Sequence, residues 1–254
     1  MYVGNSLYLR SDIIYRQLGR MESMIKIPYM VVVFKNTLKS YELTEFRGAV
    51  INSIPPEMTL FHNHLDDGYR FSYPLIQYKN VGGKAAIFCV GEGTKEIGTF
   101  FSSSEISLSI GNRKEIFSVE NVWANQWILQ TWNDSFRYSV RRWLPLNSKN
   151  YKQFTSIEGL ADQILFLEKV LVGGILSMSK GFGIFMENQV LCRIISIQHS
   201  YQISYKGVKL QAFDLLFDTN VYLPNYIGIG KGASTGFGVV KRIASNHDNQ
   251  DNKE

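Results

Sequence analysis

The sequence predicts an α+β protein made of two tandem β-α-β-β-α-β units, the ferredoxin-like arrangement. Three observations predict it. Runs rich in β-branched and aromatic residues alternate with two amphipathic stretches, in that order, up to Leu146. A polar segment, Asn147 to Ser156, then interrupts the chain. Beyond it the pattern restarts with one long apolar-faced helix and further strand-like runs. The chain has 254 residues, enough for one large or two small domains, and its 45% apolar content can fill real cores.

Taken in order, residues 1–23 carry no pattern and are expected to be a poorly ordered leader. Met24 opens "MIKIPYMVVVF", and Ile25 to Phe34 reads as the first strand. In "YELTEFRGAVINSIPP", Leu43, Phe46, Val50 and Ile54 recur at helical spacing, and Pro55–Pro56 stop the helix. "LIQYK" and "KAAIFCV" read as strands joined by Asn80 to Gly83, whose glycines suit a hairpin. "EGTKEIGTFFSS" reads as a second short helix. A mostly β stretch, holding the four tryptophans from Trp123 to Trp143, closes a first domain at 24–146.

After the link at 147–156, the helix Ile157 to Met178 carries Leu160, Ile164, Leu167 and Leu171 on one face. Glu158, Asp162, Glu168 and Lys169 interrupt it, which argues against a membrane span. The strands "NQVLCRIISIQ", "QISYKGVKLQAFDLLFDTN" and "GFGVVKRI" complete a second, rearranged unit at 157–245. A polar tail, 246–254, follows. No short-period repeat is present.

Net charge is +5, and the tail holds three acids against one lysine, so the body is more basic still. A basic body favours a polyanionic partner. Cys89 and Cys192 each sit in apolar runs and read as buried small hydrophobes in a reducing compartment. The first twenty residues lack the apolar core of a signal peptide, so a cytoplasmic location with no membrane contact is expected.

The stretch "YIGIGKGASTGFGVVKRI" places Gly228, Gly230, Gly232, Gly236 and Gly238 within eleven residues, with Lys231 among them and Lys241 and Arg242 after. A Walker loop needs Gly-Lys-Ser/Thr opening a helix; here Gly232 follows Lys231 and β-branched residues follow the loop. The dinucleotide fingerprint fails for the same lack of a helix. A tight turn between strands remains, as does a loop whose bare N–H groups and lysine lie against a nucleic-acid backbone.

The position of "GIGKGASTGFGVV", running into the closing strand, resembles the C-terminal glycine-rich loop of the RAMP superfamily of CRISPR-associated proteins. Within it, the chain resembles the repeat-processing endoribonucleases. "HNHLDDGYRFSYPLIQYKNVGGKAAIFCVGEG" (His62 to Gly93) and "VLVGGILSMSKGFGI" carry the same resemblance. Together the three segments lie within a stretch from about Ile25 to Ile243. The resemblance implies tandem ferredoxin-like domains of RAMP type, with Gly228, Gly230, Lys231, Gly232, Gly236, Gly238 and Lys241 facing RNA. It implies CRISPR repeat RNA as partner, CRISPR effector subunits as a second class of partner, an antiviral-defence role, no cofactor and no metal. Members are monomers or homodimers.

Four histidines are present. His247 lies in the tail and is expected to be inert, and His199 ends a strand and reads as a surface residue. His62 and His64 stand two apart, so in an extended segment both share a face, which Asp66 continues. Three readings are open: a metal site with Asp66 as third ligand, a structural hydrogen bond in the turn, or metal-free RNA cleavage. In the last, the 2′-hydroxyl attacks the adjacent phosphorus while a base and an acid move protons at the two oxygens. The products then carry a 2′,3′-cyclic phosphate and a 5′-hydroxyl.

The resemblance places a histidine after the first helix, before an aromatic-rich stretch. Both histidines meet that description, and His64 lies closer to "GYRFSYP". Tyr69, Tyr73 and Tyr78 are candidates for orienting the nucleotide, and Arg70 or Lys79 for neutralising the transition state. Arg47 is either a phosphate contact or a solvated helix residue. "FRYSVRRW" alternates Arg137, Arg141 and Arg142 with aromatics and reads either as an RNA-stacking strand or as an ordinary amphipathic one. "SYKGVK" reads as a basic hairpin tip. The rival to an endoribonuclease is a non-catalytic RAMP subunit that only holds guide RNA; a third reading is an unrelated basic α+β protein whose glycines make turns.

Overall fold

The computed structural model describes residues 25–62, 64–65, 68–69, 73–102 and 105–243, with side chains except at 62, 64, 65, 68 and 69. The expected leader and the polar tail with His247 lie outside the described residues. The first unit runs β1 (Lys26–Thr37), α1 (Leu43–Asn52), one-turn α2 (Thr59–His62) and the short hairpin β2–β3 (His64–Leu65, Gly68–Tyr69). It continues with β4 (Ile76–Val81), β5 (Lys84–Val90), α3 (Gly93–Phe100), the hairpin β6–β7 (Ile106–Ile110, Arg113–Phe117) and β8 (Val119–Ile128). The second unit runs β9 (Thr131–Trp143), α4 (Ser148–Thr155), α5 (Leu160–Gly181), β10 (Cys192–Tyr205), β11 (Val208–Val221) and β12 (Val239–Arg242).

Each unit has an antiparallel four-stranded sheet, ordered β4-β5-β1-β8 and β10-β11-β9-β12. Numbered within its own unit, each sheet has the order 2-3-1-4, the ferredoxin-like order. The tandem fold expected from the sequence is present, but its internal boundary is not where the sequence put it. Strand β9, assigned to the first domain, is the first strand of the second sheet. The polar segment after it holds α4, capped by Asn147, whose Oδ1 accepts from the Asn150 N–H at 2.8 Å. Periodicity identifies a strand but not which sheet it joins. Among the described residues, no helix separates β11 from β12; residues 222–238 form the glycine-rich loop instead.

The central strands explain the packing. In β1, Val32 and Phe34 join one buried cluster, while Val31 and Val33 join another. In β5, Ala85, Ile87 and Cys89 face the first cluster, and Ala86, Phe88 and Val90 the second. A sheet covered on both faces reads as an unbroken apolar run, as "VVVF" and "AAIFCV" do. The first cluster lies under α1 and α3. The second is shared with Tyr138 and Val140 of β9, Leu167, Leu171 and Ile175 of α5, and Phe213, Leu215 and Phe217 of β11. One core therefore joins the two units. No helix among the described residues is long and apolar enough to cross a membrane.

Candidate RNA-binding site at the glycine-rich loop

Strand β4 is an edge strand, and alternation gives it two chemically different faces. Ile76 and Tyr78 point into the core under α1 and α3. Gln77 and Lys79 take the opposite face and are both fully buried. Buried polar groups need partners, and here the partners are backbone groups of the loop. Gly228 N–H donates to Gln77 Oε1 at 2.9 Å, and the Tyr73 hydroxyl donates to Gly228 O at 2.6 Å. Gln77 Nε2 donates to the Tyr73 hydroxyl oxygen at 2.8 Å and to Pro74 O at 3.0 Å. Lys79 Nζ donates to Ala233 O at 2.8 Å. The backbone adds one bond more, from Tyr78 N–H to Ser234 O at 2.8 Å, where the loop pairs in parallel with β4.

The loop's limbs are themselves laddered: Ile229 N–H donates to Gly238 O and Val240 N–H to Ile227 O, both at 2.9 Å. Packing this tight excludes side chains. At Gly238 (φ +59°) an added Cβ would strike Ile229 O, and at Gly236 (φ +76°) it would strike Leu43 of α1. Gly228, Gly236 and Gly238 are all buried. The expectation that these three face RNA is corrected: protein fills the space beside them, and the Gly228 and Gly238 amides donate to Gln77 and to Arg142 O.

The tip is different. Gly230 and Lys231 are exposed and Gly232 partly so. Their three N–H groups donate to no acceptor among the described residues. The Lys231 ammonium sits over the Tyr205 ring, 5.4 Å from its centre, and Lys206 over the same ring at 5.9 Å. Tyr205 meets Phe237 edge-on at 5.2 Å. The β10–β11 hairpin tip and the loop tip thus combine bare amides, two ammonium groups and an aromatic ring.

Lys79 is not at a surface phosphate. It lies beneath the loop, and desolvation pulls its pKa down to about 7. Tyr78 belongs to the core: its ring meets Phe46 edge-on at 5.7 Å, burial pushes its pKa up, and its hydroxyl has no partner among the described residues. Tyr73 is a loop holder; burial pushes its pKa up despite two hydrogen bonds that oppose the shift. Arg142 turns inward. Its guanidinium stacks on Phe237 at 4.3 Å, its Nη1 donates to Ser40 O at 3.3 Å, its N–H donates to Asp214 at 2.7 Å, and burial lowers its pKa.

Arg137 forms a two-pronged ion pair with Asp218, at 2.8 and 2.9 Å. Arg141 and Lys241 are exposed, and pairing places them with Arg137 on the outer face of the second sheet. Arg242 stacks against Phe136 and Tyr222, 5.6 Å from each ring centre. Arg47 is half-buried, and His199 is exposed, its Nδ1 3.7 Å from Asp214.

The side chains of His62, His64, Tyr69 and Arg70, and Asp66 as a whole, lie outside the described residues. Of the backbone, His62 ends α2, anchored by buried Phe61, and His64 is the register partner of Tyr69 in β2–β3. Nine positions after His64 the chain reaches Tyr73 and the loop. No group of three or more metal-ligating side chains occurs among the described residues. Sequence reasoning missed Gln77. Its one available signal was a polar residue alternating with apolar ones on a strand whose other positions are core.

Two ferredoxin-like units, with a glycine-rich loop ahead of the last strand, define a protein of RAMP type. Residues 24–126 match the model of the Cas6b N-terminal domain and residues 130–243 that of the Cas6b C-terminal domain. The chain belongs to the Cas6b family. A crystal structure of Cas6b superposes with TM-score 0.80 at 27% identity, covering 86% of this chain and 100% of that one. A crystal structure of a CRISPR RNA processing endoribonuclease, also Cas6b, superposes with TM-score 0.66 at 25% identity, over 86% and 100%. An uncharacterized protein of Methanocaldococcus jannaschii is 39% identical over 104 residues, 41% of this chain and 69% of that protein.

Proposed function

We propose that this chain is an endoribonuclease that cuts CRISPR precursor RNA within its repeats, without a metal ion, by attack of the upstream 2′-hydroxyl on the adjacent phosphorus. Family membership supports the activity. The observation that carries the substrate class is the loop tip, where three uncommitted amides and Lys231 stand beside Tyr205 and Lys206. Amides and ammonium groups suit phosphates, and the ring suits an unpaired base.

The chemistry needs a base at the 2′-oxygen, an acid at the departing 5′-oxygen, and cations for the charge developing on phosphorus-bound oxygens. His64 takes one proton-transfer role, with His62 its alternative. Tyr69 orients the nucleotide and Arg70 balances charge. Lys79 acts on the reaction only through the loop it holds. The products are a 2′,3′-cyclic phosphate and a 5′-hydroxyl.

The test is cleavage of end-labelled repeat RNA in EDTA by the parent protein, His64→Ala and His62→Ala, with end-group analysis. Cutting persists in chelator, and one substitution slows it by ~10²–10⁴-fold while RNA binding survives. Loss of cutting in chelator, or full activity in both variants, overturns the mechanism.

A further inference from the structure

A groove of about 870 Å³ opens between α5, the segment from Trp143 through α4, Tyr73–Pro74 of the first unit, and Gly230–Lys231 of the loop tip. Two features of its lining lack a purpose within the protein. The side chains of Asn150, Gln153, Lys169 and Ser177 line it and make no hydrogen bond or ion pair among the described residues. Gly173 and Gly174 also line it, in the interior of α5. Glycine is the poorest helix former after proline, and a pair in mid-helix needs a reason.

Internal packing is not that reason, because a Cβ added at either position meets nothing within 4 Å. Gly181, at the end of the same helix, shows the contrast: a Cβ there would strike Tyr73. The bare patch of α5 is open to the groove, not to the protein.

We propose that this groove holds an unpaired stretch of the substrate RNA, whose backbone lies directly on the α5 main chain at Gly173–Gly174. The inference rests on the repeat-cleavage reading above. Three observations fit single-stranded RNA. The groove is continuous with the exposed amides and ammonium group at Gly230–Lys231, so one strand can run from the loop tip into it. Its free amide, hydroxyl and ammonium groups offer both donors and acceptors to base edges, 2′-hydroxyls and phosphates. Its volume falls within the ~300–1,000 Å³ of typical ligand clefts, which leaves room for a nucleotide or two.

The test uses the whole protein and a labelled repeat RNA carrying 4-thiouridine at successive unpaired positions. The variants are Gly173→Ala with Gly174→Ala, and Gly174→Leu. The double alanine variant keeps or raises the melting temperature of the free protein, because it removes two helix-weakening residues, yet its Kd for RNA rises at least tenfold. Gly174→Leu weakens binding further. In the parent protein, crosslinks map to peptides of α4 or α5, and both variants lose them.

Unchanged affinity, or a fall in melting temperature that accompanies the loss of binding, overturns the groove assignment. So do crosslinks confined to the Tyr205 and Lys231 peptides. A parent protein that neither binds nor cuts the repeat removes the underlying reading and this inference with it. A parent that cuts normally, with variants that match it, removes only the groove.

Discussion

Lys79 is fully buried, and its ammonium group meets a carbonyl of the loop. Burial without a counter-charge is what lowers its pKa to about 7 from the ordinary 10.5. Between those values the unfolded chain holds a proton that the folded protein has released. Folding stability therefore rises with pH across that window, and below pH 7 the contribution is flat. Urea melts of the parent and Lys79→Met across pH 6 to 10 should show a parent-minus-variant difference that grows in the parent's favour as pH rises. A difference independent of pH would contradict the buried, desolvated amine.

Gln77 gives a second residue-scale prediction. Its side chain serves the Gly228 amide, the Tyr73 hydroxyl and Pro74 O at once. Gln77→Leu strands those groups and should cost about 1–3 kcal/mol in denaturant melts. Neither residue's role was legible beforehand. The alternation in "LIQYK" predicts which face Gln77 and Lys79 take, but only the partner across that face says whether it is wet or dry.

At the scale of elements, the glycine-rich loop behaves as a fixed part and not as a flexible flap. Gly238→Ala puts a side chain at φ +59° and against Ile229 O. We expect a stability loss of at least ~1–3 kcal/mol, with a parallel loss of RNA affinity measured by filter binding. The double alanine variant of α5 should keep or raise stability, because an added Cβ at either position meets nothing. These two results together separate glycines required by the protein from glycines left open to a ligand.

The sequence pattern could not make that distinction, since absence of a side chain does not name the approaching atom. The same limit applies to β9. Its strand character is plain from "FRYSVRRW", yet its sheet depends on partners far away in the chain. Asn147 did carry a readable helix-start signal, submerged in a segment whose composition resembles a linker.

At the scale of the molecule, the β-α-β-β-α-β order of the first unit was legible because its strands and helices follow one another in a strongly periodic way. The second unit reads as rearranged when its first strand, β9, is counted with the first unit. The union of the two units was not legible, because a core shared between them is a property of neither sequence alone. Val31, Val33 and Phe88 of the first sheet lie in one apolar cluster with α5 and the inner face of the second. The pair should unfold in a single transition, with fluorescence and far-ultraviolet circular dichroism giving coincident curves. Two resolved transitions would show that the units are energetically separate.

That joint has a practical consequence for anyone building chimeras of related enzymes. The half carrying the aromatic hydroxyl, the carboxamide and the amine cannot be exchanged apart from the half carrying the backbone they grip. A crossover placed between them would have to transplant Tyr73, Gln77 and Lys79 together with the donor's own loop, or the graft would inherit a clamp with nothing to close on.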